Sequence, residues 1–150
     1  MSVEFRQMGG DEFAAWLPQL REEYAGDLVR DYGMSLEQAM EQAAVEIERD
    51  LPAGHSVWVI EVGGEPVGHL WLSERRSSYE PALVVYDIDV DEPHRGRGHG
   101  RAAMLFAEEE ARRRGLSRIV LHVGARNDVA RNLYRSLGYQ ENEVAMSKPV

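Results

Sequence analysis

Gly96, Gly98 and Gly100 stand at alternate positions among Arg95, Arg97 and Arg101. Glycine has no Cβ, so a ligand can come close to its backbone N–H. A helical pattern over residues 102–114 follows at once. The free N–H groups and positive dipole end of that helix would point back at the glycines. This combination makes a cradle for a phosphate or pyrophosphate, with the arginines adding charge. A glycine-rich turn taken alone also fits an ordinary strand-to-helix loop. Just upstream, Asp87 and Asp89 sit two apart in an apolar run and so share one face of a strand. Carboxylates on a half-buried strand need a reason. Pairing with the arginines is one such reason, and acid–base chemistry is another.

The surrounding pattern says what would position these groups. Residues 3–6 alternate as a short strand that ends at Gly9-Gly10. Asp11 is the expected cap of a helix through Phe13, Trp16, Leu17 and Leu20, with a kink or late start at Pro18. Gly26 and Gly33 are expected to break the stretch after it. Ser35-Leu36-Glu37-Gln38 has the form of a capping box, opening a helix that runs to Asp50 and stops at Leu51-Pro52-Ala53-Gly54. Residues 56–62 and 66–72 read as strands joined by a Gly63-Gly64 hairpin. Arg75-Arg76-Ser77-Ser78 is a polar loop. The strand over residues 82–90 then completes an antiparallel meander and feeds the glycines.

Beyond them, Ala103, Leu105, Phe106, Ala107 and Ala111 give the next helix an apolar face. Glu108-Glu109-Glu110 precedes Arg112-Arg113-Arg114 by four residues, which predicts ion pairs along a solvated face. Gly115 ends this helix, and residues 118–123 form a strand parallel to the one before it. Asn127 caps a last helix with Val129, Ala130, Leu133, Tyr134 and Leu137 on one stripe, stopped by Gly138. Residues 139–148 are expected to be a final extended segment with Val144 and Met146 on one face.

A chain of 150 residues, 43% of them hydrophobic, suits one domain over residues 1–150 with a real core. No apolar run is long enough to span a bilayer, and no leader pattern opens the chain. There is no cysteine, which removes disulfides and thiol nucleophiles and suits the cytoplasm. The five histidines show no paired ligand spacing, so no metal is expected. Residues 1–90 carry 6 basic and 18 acidic side chains, whereas residues 91–150 carry 11 and 8. An acidic first half argues against nucleic acid and suits a cationic acceptor. The basic second half suits a polyanionic cofactor, although solvated helix faces account for the same charges.

Arg95-x-x-Gly98-x-Gly100 resembles the R/Q-x-x-G-x-G/A signature of the GNAT superfamily, the acyl-CoA-dependent N-acyltransferases, with Pro93 two residues ahead as in many members. Leu121-x-Val123-x-x-x-Asn127-x-x-Ala130-x-x-Leu133-Tyr134-x-x-Leu137-Gly138-Tyr139 resembles the second hallmark, N-x-x-A-x-x-L-Y-x-x-x-G-F, with Tyr139 in place of Phe. The resemblance implies a mixed α/β (α+β) fold, a mostly antiparallel twisted sheet of six to seven strands with helices on both faces. It implies an N-acetyltransferase that passes the acetyl group of acetyl-CoA to a primary amine of a small molecule or peptide, by direct attack in a ternary complex.

It further implies that the backbone of Gly96, Gly98, Gly100 and Arg101 holds the pyrophosphate, with Arg95 and Arg97 beside it. Ile88, Asp89 and Val90 would bond the pantetheine arm, provided that the parallel neighbour splays away. Asn127, Ala130 and Tyr134 would face the cofactor from the last helix. His99, at a variable position of the loop, counts among the cofactor residues and is expected to be exposed. Tyr134 is the implied acid for the departing thiolate. Asp87 is the first expectation for the base, with Glu80 as its rival. Members often pair, so a homodimer is one expected state.

Two alternatives stay open. Gly98-x-Gly100-x-x-Ala103 also fits a dinucleotide-binding turn, but it comes late in the chain, follows a meander, and lacks an acidic residue at the end of the next strand. A GNAT-like module could also sense acyl-CoA without catalysis.

Overall fold

The computed structural model describes residues 2–50, 55–76 and 80–150. The chain forms β1 (Val3–Gln7), α1 (Gly10–Tyr32), α2 (Leu36–Asp50), β2 (His55–Val62), β3 (Glu65–Arg75) and β4 (Ala82–Val90). A short 3₁₀ turn, Glu92–His94, leads to α3 (His99–Arg113), β5 (Ile119–Leu121) and α4 (Asp128–Ser136). The expected end of α2 at residues 51–54, and Ser77-Ser78 of the polar loop, lie outside the described residues. No described helix is long and apolar enough to cross a membrane.

The strands form one sheet in the order β1-β2-β3-β4-β5. The first four are antiparallel neighbours, and β5 joins β4 in parallel after the α3 crossover. One face of the sheet packs Leu70, Leu72, Leu83 and Val85 against Ala103, Met104, Ala107 and Ala111 of α3 and Tyr134 of α4. The other face sets Trp71 against Trp16 and Leu20 of α1 and Ile47 of α2. Helices therefore cover both faces, as expected. Burying a Leu or Val side chain contributes about 1.5–3 kcal/mol, so these two layers hold the sheet.

The sheet has five strands among the described residues, not six to seven. The final extended segment pairs with nothing in the sheet: residues 140–150 lie in no strand, and Val144 and Met146 are 73% and 93% exposed. Glu141 instead bonds Arg131 and Arg135, which ties the segment to α4. The strand expected over residues 118–123 pairs only over Ile119–Leu121.

α1 runs unbroken through Pro18 and Gly26. Its buried stripe of Trp16, Leu20, Ala25 and Leu28 spans both, and that packing outweighs the helix cost of one glycine, about 1 kcal/mol. Pro18 cannot donate to Ala14, but both residues are exposed, so the lost bond faces solvent. The N-cap is Gly9 rather than Asp11, and Glu12 reaches back to accept the Gly9 N–H at 3.2 Å. Gly33 does end the helix, in the left-handed conformation. The Ser35 hydroxyl caps α2 as expected, accepting the Gln38 N–H at 3.2 Å.

The acidic and basic run of α3 is not wholly a solvated face. Glu110 is buried, 4% exposed, and pairs with Arg113 at 2.6 Å and Arg114 at 3.3 Å. Arg114 reaches on to Ser56 and Glu74, so this end of the run ties α3 to β2 and β3.

One irregularity matters most for position. Leu72 pairs with Val85 and Trp71 with Asp87, so Tyr86 is an extra residue in the β3–β4 register. The extra residue reverses the alternation of β4. Val85 faces the α3 layer with Leu72, whereas Asp87 shares its face with Trp71 on the α1 side. A regular strand would put residues 85 and 87 on the same face.

Candidate functional site

The β4–β5 ladder stops at Val85–Leu121, yet β4 continues to Val90. The Asp91 N–H donates to the Val67 carbonyl at 2.9 Å, so position 91, and by alternation 89, turns its backbone toward β3. Ile88 and Val90 therefore turn theirs to the open side, where β5 has splayed away. Arg95 occupies one of these groups, its Nε donating to the Val90 carbonyl at 2.7 Å. The close approach of β3 here needs a glycine. A Cβ on Gly68 would lie 2.2 Å from the Asp89 carbonyl oxygen.

The glycine loop follows directly. Gly96 and Gly98 have φ of 75° and 85°, a left-handed conformation that L side chains rarely adopt. Gly98 is the N-cap of α3 and offers no side chain, and the first turn of that helix carries no acidic residue. The first α3 bond runs from the Ala102 N–H to the Gly98 carbonyl. Among the described residues, the N–H groups of residues 96–101 donate to no protein acceptor. They form a run of donors at a positive helix end, beside the open end of β4, which is a geometry suited to an anion.

The three arginines divide their work. Arg95 turns back to the Val90 carbonyl and to Asp89, at 3.2 Å. Arg101 donates to the Ser136 hydroxyl at 2.6 Å, binding α3 to α4. Arg97 is exposed and makes no ion pair among the described residues. His99 is buried, 9% exposed, rather than exposed, because it begins α3 on the side packed into the protein. Its Nδ1 has no hydrogen-bond partner.

α4 closes the gap from the other side. The Asn127 side-chain oxygen caps it by accepting the Ala130 N–H at 3.2 Å, and its amide nitrogen makes no hydrogen bond among the described residues. Ala130 and Tyr134 pack on the α3 core layer. The Tyr134 hydroxyl makes no hydrogen bond among the described residues. Burial raises its pKa above the ordinary phenol value, and the negative charge of Asp87 adds to the rise. Tyr134 thus stays protonated at neutral pH. The Tyr139 hydroxyl, the variation from the Phe of the motif, donates to Glu108 of α3 at 3.3 Å.

On the α1 face, Asp87 meets a residue that sequence reasoning missed. His69 of β3 bonds Asp87 Oδ2 through Nε2 at 2.7 Å. Its ring packs edge-on against Trp16, with centroids 4.8 Å apart. Burial opposes charge on this imidazole, but the Asp87 bond and the negative charges of Asp87, Asp89 and Glu23 outweigh it and raise the pKa. Glu23, His69 and Asp87, from three elements, bring polar atoms within 4.8 Å of one another. Burial raises the carboxyl pKa of Glu23, Asp27 and Asp89 in turn. Nothing local in the sequence marks His69; only the β3–β4 register brings it to Asp87. Glu80 lies before the far end of β4 and pairs with Arg118 at 2.6 Å. At about 3.3 Å per residue it stands roughly 20 Å along the strand from Asp87.

The site thus has an anion cradle, an open strand end, a protonated phenol and, on the α1 face, an acidic cluster that holds a histidine. Residues 17–139 match the acetyltransferase (GNAT) family. The uncharacterised N-acetyltransferase YycN of Bacillus subtilis is 30% identical over 155 residues, covering 99% of each chain. Its crystal structure superposes with a TM-score of 0.91, at 28% identity. A mycothiol acetyltransferase of Thermobispora bispora is 36% identical over 91 residues, 59% of this chain and 30% of that one. The fold is also shared with AAC(6')-Iy in complex with the bisubstrate analogue CoA-S-monomethyl-acetylneamine, with a TM-score of 0.67 at 15% identity. The family match takes in the glycine loop, the open strand and the Tyr134 helix together, and the chain belongs to the GNAT family of acetyltransferases.

Proposed function

We propose that the protein transfers the acetyl group of acetyl-CoA to a primary amine of a small cationic acceptor, by direct attack within a ternary complex. One observation carries this reading: the run of unengaged N–H groups over residues 96–101 lies beside the open end of β4, in a chain of this family. The diphosphate takes the N–H groups of Gly96, Gly98, His99, Gly100 and Arg101. Arg97 supplies its charge, and Arg95 braces the turn through Val90 and Asp89. The pantetheine arm lies along Ile88, Asp89 and Val90 as an added strand, in the gap that β5 leaves. Asn127 and Ala130 border it from α4, and the thioester ends near Tyr134.

The amine attacks the thioester carbon, the C–N bond forms, and the C–S bond breaks as the tetrahedral adduct collapses. Tyr134 gives its phenolic proton to the departing sulfur. Asp87, with His69 bonded to it, serves the removal of the amine's proton. The acidic side chains Glu23, Asp27, Asp87 and Asp89 favour a cationic acceptor on that side through long-range attraction.

Calorimetric titration with acetyl-CoA, with NAD as the control, tests the cradle. Thiol release across a panel of diamines, amino sugars and peptide amines tests the transfer. Tight acetyl-CoA binding with amine-dependent thiol release is the expected result. Binding without release from any amine would turn the reading to an acyl-CoA sensor. Binding of NAD in preference to acetyl-CoA would overturn it.

A further inference from the structure

We propose that the amine's proton is taken by His69 at Nδ1, and that Asp87 acts by holding the imidazole rather than by touching the acceptor. The inference rests on the acyl transfer proposed above and names the atom that does the proton work.

The argument begins with the tautomer. His69 Nε2 lies 2.7 Å from Asp87 Oδ2. An ionised carboxylate only accepts hydrogen bonds, so the imidazole proton sits on Nε2. In the neutral ring the lone pair is then on Nδ1. That nitrogen has no protein partner among the described residues. It also escapes the full burial that seals the unpartnered Nδ1 atoms of His94 and His99. The His69 side chain is 8% exposed, so the ring is anchored while its Nδ1 keeps a trace of solvent access. Trp16 fixes the ring plane from α1.

The surroundings suit a base. Glu23 and Asp27 approach from α1, and Asp87 and Asp89 from β4. Arg95 offsets Asp89 from the loop side, and Tyr134 lies within the influence of Asp87 from α4. Of these anions, Asp87, Asp89 and Glu23 stabilise the imidazolium that forms once the proton arrives. Asp87 thus holds His69 directly, and its charge also reaches the Tyr134 phenol.

The protons balance. A bound alkylammonium gives one proton to His69 Nδ1 and becomes the nucleophile. After C–N bond formation, Tyr134 protonates the sulfur as the C–S bond breaks. The second proton on the adduct nitrogen restores the phenol, and the third stays on the amide. His69 returns its proton to solvent, so each turnover releases one proton beside amide and free thiol.

The test uses His69→Ala, His69→Gln and Asp87→Ala, with the fastest acceptor of the amine panel. Acetyl-CoA affinity and circular dichroism confirm that each variant is folded. His69→Ala is expected to lose about 100-fold or more in kcat, the size of a general-base contribution. Added imidazole should restore part of that loss, with a pH dependence set by imidazole itself. In the parent enzyme kcat/KM should rise through the imidazole range, a limb distinct from that of the alkylammonium near pH ~10. His69→Gln keeps a donor for Asp87 and should still lose this limb. The inference is overturned if both His69 variants retain turnover and the limb. It is also overturned if formate rescues Asp87→Ala while imidazole leaves His69→Ala inactive, which would make Asp87 the direct base. A parent protein that binds acetyl-CoA yet acetylates no amine would sink the transfer reading itself, and the role of His69 with it.

Discussion

Replacing Gly98 by alanine separates backbone strain from ligand binding. Gly98 sits at φ 85° and ψ 8°, where an L-residue costs about 1–2 kcal/mol. The substitution also restricts the unfolded chain, which returns about 0.4–1 kcal/mol. No heavy atom lies within 4 Å of the added Cβ, so no clash adds to the balance. The net loss is about 0–1.6 kcal/mol, at most a few degrees in Tm for a chain of this size. Relief of the strain requires the turn to rotate, which points one or more N–H groups away from the cradle. A hydrogen bond to a charged group contributes about 1.5–3 kcal/mol, so acetyl-CoA affinity should fall roughly 10- to 150-fold. Calorimetric titration with acetyl-CoA reads the affinity, and thermal denaturation reads the strain. Gly115→Ala is the control, because Gly115 has φ 72° and open space around it at the far end of α3. It should lower Tm similarly and leave affinity intact. If Gly98→Ala lowers Tm as expected and binds acetyl-CoA within about twofold of the parent, the diphosphate does not rest on this turn, since one lost bond alone is expected to weaken it at least tenfold.

Tyr134→Phe should reduce kcat by about 100-fold or more while acetyl-CoA affinity holds, in keeping with a general acid; unchanged turnover would remove the phenol from the mechanism. Gly68→Ala places a Cβ 2.2 Å from the Asp89 carbonyl oxygen, a backbone atom that cannot swing aside. It should cost about 1–3 kcal/mol in urea denaturation and weaken acetyl-CoA binding by shifting the end of β4; unaltered stability would mean that the two strands do not approach so closely. The raised pKa of His69 carries a pH signature. The stability it contributes is fully present below the unfolded imidazole value, about 6.5, and is lost as pH rises through the higher folded value. His69→Gln should flatten that part of a stability–pH curve, and an unaltered slope would contradict the pairing with Asp87.

The parts legible in the sequence are those whose determinants are local. The β2–β3 hairpin, the Ser35 cap and the Asn127 cap each follow from a few adjacent residues, and the structure keeps them. The glycine loop is legible because φ, capping and helix onset are written in one short stretch. α1 was harder to read, since Pro18 and Gly26 are local breakers overruled by a buried stripe spanning both. His69 and Glu110 were hidden for a related reason. One depends on which residue of a neighbouring strand lies across from it, and the other on what α3 packs against. Residues 139–148 show the reverse error, an apolar alternation too slight to hold a strand beside a helix that offers Arg131 and Arg135 to Glu141.

Tyr86 makes β4 two half-strands of opposite polarity. Ahead of it, Val85 serves the greasy layer beneath α3; past it, Asp87 and Asp89 open on the α1 side while Ile88 and Val90 return to that layer. Forcing Tyr86 into a regular ladder would turn everything after it upside down, driving two carboxylates into hydrocarbon and lifting two aliphatic chains to the α1 side, whereas deleting it would leave Val85 and Asp87 on opposite faces as they are. The chemistry at this end of the sheet therefore hangs on the β3–β4 register and not on the alternation of β4 alone.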